Sequence, residues 1–170
     1  MRPAPHVAGV RLRRAQLADA PELRAILHDT FESTWRPNIT TAAADAFLSE
    51  DRPSAYIRAR GLEFRVAERD GEVVGLVHWE ADFVNALHVL ASYARSGIGA
   101  ALMDEAEAEI ASAGFASARL ETDTFNSRSQ AFYAARGYVE AGRYPDTEWN
   151  SGLTTLLLAK DLGNVPSTLT

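Results

Sequence analysis

Between Phe83 and Gly114 the hydrophobic period of the sequence changes once, abruptly, and two glycines mark the change. Phe83 to Leu90 reads as a strand and the segment YARSGIGAALM, Tyr93 to Met103, follows it. From there Ile98, Leu102, Met103, Ala106, Ile110 and Ala113 recur at the spacing of one helix face, and Gly114 supplies the stop. A strand that passes through a glycine turn into an amphipathic helix requires a mixed α/β fold, because the helix must lay its stripe against a sheet. The same spacing puts Asp104, Glu105, Glu107 and Glu109 on the water side.

The flanking segments extend this pattern. Val10 to Ala15 alternates as a strand, and Asp19 stands where it can cap a helix carrying Leu23, Ile26, Leu27 and Phe31 and ending near Trp35 to Pro37. Thr40 or Thr41 opens an alanine-rich helix, and Pro53 begins another short helical turn. Leu62 to Glu68 and Glu72 to Trp79 alternate on either side of Asp70-Gly71, a two-residue hairpin signal. The short link from Glu80 to Asp82 makes the next strand antiparallel to its predecessor.

Beyond the long helix, Ala118 to Thr122 reads as a strand parallel to the one ending at Leu90, through a right-handed crossover. Asn126 or Ser127 caps a short helix, with Ser127 and Gln130 spaced as a capping box and Gly137 as its end. Tyr138 to Arg143 and Leu153 to Ala159 close the chain as strands. The expectation is an α/β (α+β) fold with a mixed, mostly antiparallel sheet of six or seven strands and helices on both faces. One domain is expected over residues 10–162, with tails at 1–9 and 163–170.

Composition removes several classes of function. The chain is 46% hydrophobic and 24% charged, with no apolar run of membrane-spanning length and no secretory pattern at its start, so a cytoplasmic location is expected. It has no cysteine, and His6, His28, His78 and His88 show no ligand spacing, so no metal is expected. The formal charge is −6 and Lys160 is the one lysine, which argues against nucleic acid as a partner.

A negative chain still holds an anion where backbone N–H groups converge at a helix start, and Gly97 and Gly99 let the main chain approach one closely. A Walker loop is excluded because Ala100 and Ala101 follow Gly99. A dinucleotide fingerprint fails at Leu102, where a third glycine or alanine is required. LHVLASYARSGIGAALM instead resembles the acetyl-coenzyme A signature of the GNAT superfamily of N-acetyltransferases, Arg or Gln, two residues, Gly, one residue, Gly or Ala, after a Leu-x-Val strand. Leu87 to Val89 match the strand and Gly97 to Gly99 the turn. Ala94 stands in place of the usual Arg or Gln, and Ala91 where proline is common. NSRSQAFYAARGY resembles a second family segment: Asn126, Phe132, Tyr133 and Gly137 match, while Ser129 and Tyr138 replace alanine and phenylalanine.

The resemblance implies a sheet splayed between its fourth and fifth strands, and acetyl-CoA as cosubstrate with no metal. It places the main chain of Val89 and Leu90 at the acetyl group, with the Val89 N–H as oxyanion donor. The amides of Arg95, Ser96, Gly97, Ile98, Gly99 and Ala100 are placed at the diphosphate, and Asn126 at the pantetheine arm, at its own helix cap, or both. Tyr133 is the implied general acid beside the departing sulfur. For the base, His88 is one candidate, Glu80 or Asp82 acting through water is another, and no dedicated base a third. Phe31, Trp35 and Trp149, with Tyr144, are candidates for the acceptor wall, and Asp29, Glu32, Asp146 and Glu148 for attracting a cation.

The implied activity is transfer of an acetyl group to a primary amine of a small molecule or peptide, with no nucleic acid or membrane partner. The loss at position 94 keeps open a degenerate acyl-CoA-binding sensor. Exposed strand edges near the C-terminus make a homodimer a candidate assembly.

Overall fold

A computed structural model describes residues 8–147 and 151–163. Trp149 and Glu148, assigned above to the acceptor pocket, lie outside the described residues. Seven strands form one sheet in the order β1-β2-β3-β4-β5-β7-β6. They are β1 (Val10–Arg14), β2 (Arg65–Arg69), β3 (Glu72–Glu80), β4 (Phe83–Val89), β5 (Ser117–Asp123), β6 (Val139–Pro145) and β7 (Thr154–Asp161). The helices are α1 (Ala20–Thr30), α2 (Thr41–Ser49), α3 (Arg52–Arg60), α4 (Ile98–Ser112) and α5 (Ser127–Ala135). Among the described residues no helix is long and apolar enough to cross a membrane. Contacts divide the chain into two compact units, Met1–His78 with Ala86–Glu105, and Trp79–Asn85 with Ala106–Thr170.

In the first unit β1 and β2 pair antiparallel with Leu12 opposite Ala67, and β2 and β3 form the expected hairpin. Its turn works because Asp70 and Gly71 both take positive φ, 52° and 80°, which matches the twist of the strands it joins. Val66 and Leu76 face each other across the hairpin and join Leu23, Ile26, Leu27 and Phe64 in a buried cluster, against which Tyr56 and Ile57 of α3 pack. The opposite face of β3 receives α4 at Gly75. A Cβ there would stand 3.1 Å from Leu102 Cδ1 and 3.2 Å from both Ile98 Cγ2 and the His88 carbonyl oxygen. Only glycine lets the start of α4 sit this close to the strand, so helices lie on both faces.

Two local expectations need correction here. Leu62 falls in a tight turn, Gly61–Glu63, and the strand begins only at Arg65. Asp19 precedes α1 without capping it through its side chain; its carboxylate receives Arg13 at 2.8 and 2.9 Å and the Gln16 N–H at 2.7 Å. Arg13 accordingly holds the Asp19 pKa below the ordinary carboxylate value. Thr40 does cap α2, accepting from Ala43 N at 3.1 Å.

In the second unit β4 and β5 run parallel through Phe83↔Arg119 and Val84↔Leu120, as a crossover requires. β7 lies antiparallel between β5 and β6. Asn126 Oδ1 caps α5 by accepting from Ser129 N at 3.1 Å. The Ser127–Gln130 capping box does not form, because Gln130 Nε2 donates instead to the carbonyls of Asp123 and Thr124, both at 3.0 Å. Glu107, expected in water, is 7% exposed. It binds Arg136 Nη2 at 2.8 Å, the Tyr138 hydroxyl at 3.3 Å and the Lys160 ammonium, three groups brought by later segments of the chain.

Candidate active site

The glycine turn is built by spending some amides and leaving others. At the end of β4 the Leu90 N–H donates to Val74 O at 2.9 Å, so it belongs to the sheet and is no donor for a ligand. Successive strand amides point to opposite sides, so the Val89 N–H points away from β3. The next residues fold into a tight turn, Ala91–Tyr93. Asp29 Oδ2 of α1 accepts the Ala91 N–H at 2.8 Å, Leu90 O accepts from Tyr93 N at 2.8 Å, and Ala91 O accepts from Ala94 N at 3.1 Å. Asp29 thus pins the turn to α1.

Past this anchor the pattern reverses. Arg95 and Gly97 both take left-handed φ, 61° and 86°, on either side of Ser96, whose hydroxyl donates to Tyr93 O at 2.5 Å. At the start of α4 a helical bond runs from Ala101 N to Gly97 O at 3.0 Å. Among the described residues the N–H groups of Arg95, Ser96, Gly97, Ile98 and Gly99 find no acceptor. Alternating handedness turns such amides into one concave surface at the positive end of a helix, with the charge and shape an anion requires. Ile98 and Leu102, fully buried against Gly75, fix its position.

The histidines separate clearly. His78 is fully buried with both ring nitrogens engaged, Nδ1 by the Tyr56 hydroxyl and Nε2 by Glu63 Oε2 at 3.0 Å, so it is a core residue. His88 retains some accessible surface, yet the protein around its ring lowers its pKa to about 4 by desolvation, and Nδ1 lies 3.1 Å from Thr30 Oγ1. It is neutral at pH 7 and a weak proton acceptor. Asp82 is occupied too: Arg119 grips it at 2.8 and 3.1 Å and lowers its pKa. Glu80 accepts from Asn85 Nδ2 at 2.7 Å.

In the second unit Tyr133 is 8% exposed, with its ring edge-on to Phe132 and Tyr138 at 5.1 and 5.5 Å. Burial raises its pKa, and among the described residues its hydroxyl has no hydrogen-bond partner. Ser129, where the resembled motif has alanine, hydrogen-bonds Thr122 at 2.8 Å and ties α5 to β5. Of the expected acceptor wall, Phe31 is buried and stacked on Phe47 at 4.0 Å, while Trp35 ends a wide π-type turn over Phe31–Trp35 that continues α1. Such turns are frequent at functional sites. Glu32 is paired with Arg36 at 2.7 Å.

Residues 21–138 match the Acetyltransferase (GNAT) family. The chain belongs to that family. This GNAT chain is also 30% identical over 131 residues to an uncharacterized N-acetyltransferase of Mycobacterium tuberculosis, covering 72% of this chain and 84% of the relative. Its fold resembles a GCN5-related N-acetyltransferase of Rhodopseudomonas palustris, with a TM-score of 0.77 at 21% identity over 91% of this chain and 96% of that one. It also resembles a Salmonella typhimurium acetyltransferase solved with acetyl-CoA, with a TM-score of 0.70 at 18% identity over 94% and 99%. As a GNAT protein the chain is an acyltransferase.

One residue that sequence reasoning passed over is Asp123, 7% exposed at the end of β5, with its pKa raised to about 6. Desolvation is the main cause, with Asp146 and Glu121 adding to it. The signal was an aspartate closing a strand two residues after a glutamate on the same face.

Proposed function

We propose that this chain moves an acetyl group from acetyl-CoA to a primary amine of a small molecule or peptide, by direct attack of the amine on the thioester carbonyl. The observation that carries the reading is the row of unspent amides from Arg95 to Gly99, set between two left-handed residues at the start of α4. In this reading they receive the cofactor's diphosphate, and the Val89 N–H receives the negative oxygen of the tetrahedral intermediate. The amide nitrogen of Asn126 serves the pantetheine arm while its oxygen caps α5.

Tyr133 holds its proton across the physiological range, because burial disfavours the phenolate. It therefore acts at the sulfur as a hydrogen-bond donor that stabilises the departing thiolate. Trp35 borders the acceptor, with Phe31 fixing the turn that carries it. The proposal treats residues 10–162 as one acetyltransferase domain, and pairing of two copies through β6, exposed along most of its length at the sheet edge, as its assembly.

Calorimetry and thermal shift with CoA, acetyl-CoA and NAD test this reading, together with thiol release over a panel of amines. Heat and a raised melting temperature with both CoA forms but not NAD, plus amine-dependent thiol release, are expected. Silence towards CoA sinks the proposal. Ala94, in place of a side chain that grips the cofactor, favours one second reading, an acyl-CoA-binding sensor, and CoA stabilisation without turnover on any amine would establish it.

A further inference from the structure

One acid of α1 makes a single bond, and it goes to the head of the glycine turn. Asp29 is half-buried near the end of the helix, and among the described residues its one hydrogen bond or ion pair is the 2.8 Å bond that Oδ2 accepts from the Ala91 N–H. A carboxylate holds a main-chain N–H more strongly than a neutral acceptor does. The next residue, Thr30, reaches the same stretch of chain at a different point, with Oγ1 3.1 Å from His88 Nδ1. All of these residues, and the whole glycine turn, lie in the first unit.

What the bond fixes follows along the chain. Leu90 O accepts from Tyr93 N, Ala91 O accepts from Ala94 N, and Tyr93 O accepts the Ser96 hydroxyl at 2.5 Å. Among the described residues, these local bonds and the one to Asp29 are the hydrogen bonds of the segment from Ala91 to Ser96, and Asp29 alone comes from a distant part of the sequence. Within the segment stands Arg95, a residue other than glycine at φ 61°, a conformation that persists only where the surroundings over-determine it. A turn held by local bonds alone samples other arrangements, and its idle amides then bind an anion only for the fraction of time in which they converge.

We propose that Asp29 is a positioning residue for the cofactor: by holding the Ala91 N–H it presets the left-handed bend at Arg95, and with it the converging amides from Arg95 to Gly99 that receive the diphosphate. This rests on the cofactor reading above. The role needs no contact between Asp29 and the cofactor, because the side chain acts by sparing the ligand the work of ordering the turn. Proline at position 91 would supply the same rigidity from within. Leu90 is extended, at φ −51° and ψ 136°, as a residue before proline must be. Ala91 opens a helical turn, whose φ proline matches, and its N–H has no partner in the turn itself.

The test is calorimetry of CoA against the full chain, accompanied by amide hydrogen exchange of the unliganded protein. Asp29→Ala is expected to raise the Kd for CoA about tenfold and to speed exchange at Tyr93 and Ala94 while the buried strands stay protected. Asp29→Asn, whose side-chain oxygen still accepts the Ala91 N–H, should stay within about threefold of the wild type. Adding Ala91→Pro to Asp29→Ala should restore most of the lost affinity, which a general loosening of α1 would not permit. Thr30→Val cuts the neighbouring link to His88 and should leave CoA affinity unchanged. Wild-type CoA affinity and exchange in Asp29→Ala, no recovery in a folded double variant, or an equal loss in Thr30→Val overturns the proposal. A wild-type chain that binds no CoA sinks the cofactor reading and this role with it, an outcome distinct from a wild type and an Asp29→Ala chain that bind equally well.

Discussion

Glu107 and Asp123 lie on opposite faces of the same stretch of sheet and are equally buried, each 7% exposed, yet one is answered and the other is not. Glu107 meets Arg136, Lys160 and the Tyr138 hydroxyl on the face that α5 covers. On the other face Asp123 has no cation or hydrogen-bond donor among the described residues, and the charges that reach it are those of Asp146 and Glu121. Their neighbouring tyrosines repeat the contrast: Tyr138 donates to Glu107, while Tyr133, 5.5 Å away ring to ring, keeps an unpartnered hydroxyl. A fold that pairs its buried polar groups this carefully on one side identifies the unpaired ones as places a ligand completes. The glycine turn follows the same logic, with the amides of Ala91, Tyr93 and Ala94 spent and, among the described residues, those of Arg95 to Gly99 idle.

The sharpest way to break this comparison is to remove the answered charge. Glu107→Ala takes from Arg136 and Lys160 the carboxylate they share at the edge of the core, and a loss of about 3 kcal/mol in urea unfolding is expected. A loss below about 1 kcal/mol would place the cluster among ordinary surface pairs. The tyrosines come next. Tyr133→Phe should lower kcat roughly tenfold to a hundredfold, about 1.4 to 2.7 kcal/mol in the barrier, with CoA affinity unchanged. Tyr138→Phe should leave kcat alone and cost about 1 kcal/mol of stability. Equal loss of binding and rate in Tyr133→Phe would make that tyrosine as structural as its neighbour.

Local chemistry made most of the architecture legible. The Asp70-Gly71 turn, the Thr40 cap, the α4 stripe and the parallel β4-β5 pair each follow from spacing or from one residue's backbone freedom. Errors fell where a distant partner overrode a local preference. Glu107 sits at a position that helical periodicity assigns to water, but its partners arrive 29 and 53 residues later. Asp19 has the chemistry of a cap, and Arg13 claims it through a strand. Within the candidate site, the residues around Gly97 were readable because phosphate chemistry demands small residues at a helix start. Asp123 was not, since what distinguishes it is the absence of a partner, and periodicity says nothing about that. The π-type turn at Phe31–Trp35 was equally hidden, the sequence there reading as continued helix up to Pro37.

The pH dependence of stability tests the comparison through two aspartates whose pKa values move in opposite directions. Asp19 is held below its ordinary value by Arg13, so its contribution is full at neutral pH and is lost as the pH falls through its folded pKa. Asp19→Ala should cost about 2 kcal/mol at pH 7 and progressively less in acid. Asp123 is raised to about 6 against an ordinary 3.8, so above pH 6 the folded state carries a strained charge that the unfolded chain does not. As the pH falls from 6 towards 4 the native carboxylate protonates first and the strain is relieved, so this residue gains stability in acid. Asp123→Asn should therefore stabilise the chain by about 1 kcal/mol at pH 8, allowing for solvent screening, with the gain vanishing below about pH 4. Unfolding curves collected at pH 8, 6 and 4 for both variants should cross in this sense. If Asp123→Asn destabilises at pH 8, an unseen partner already answers that carboxylate, and the contrast with Glu107 disappears.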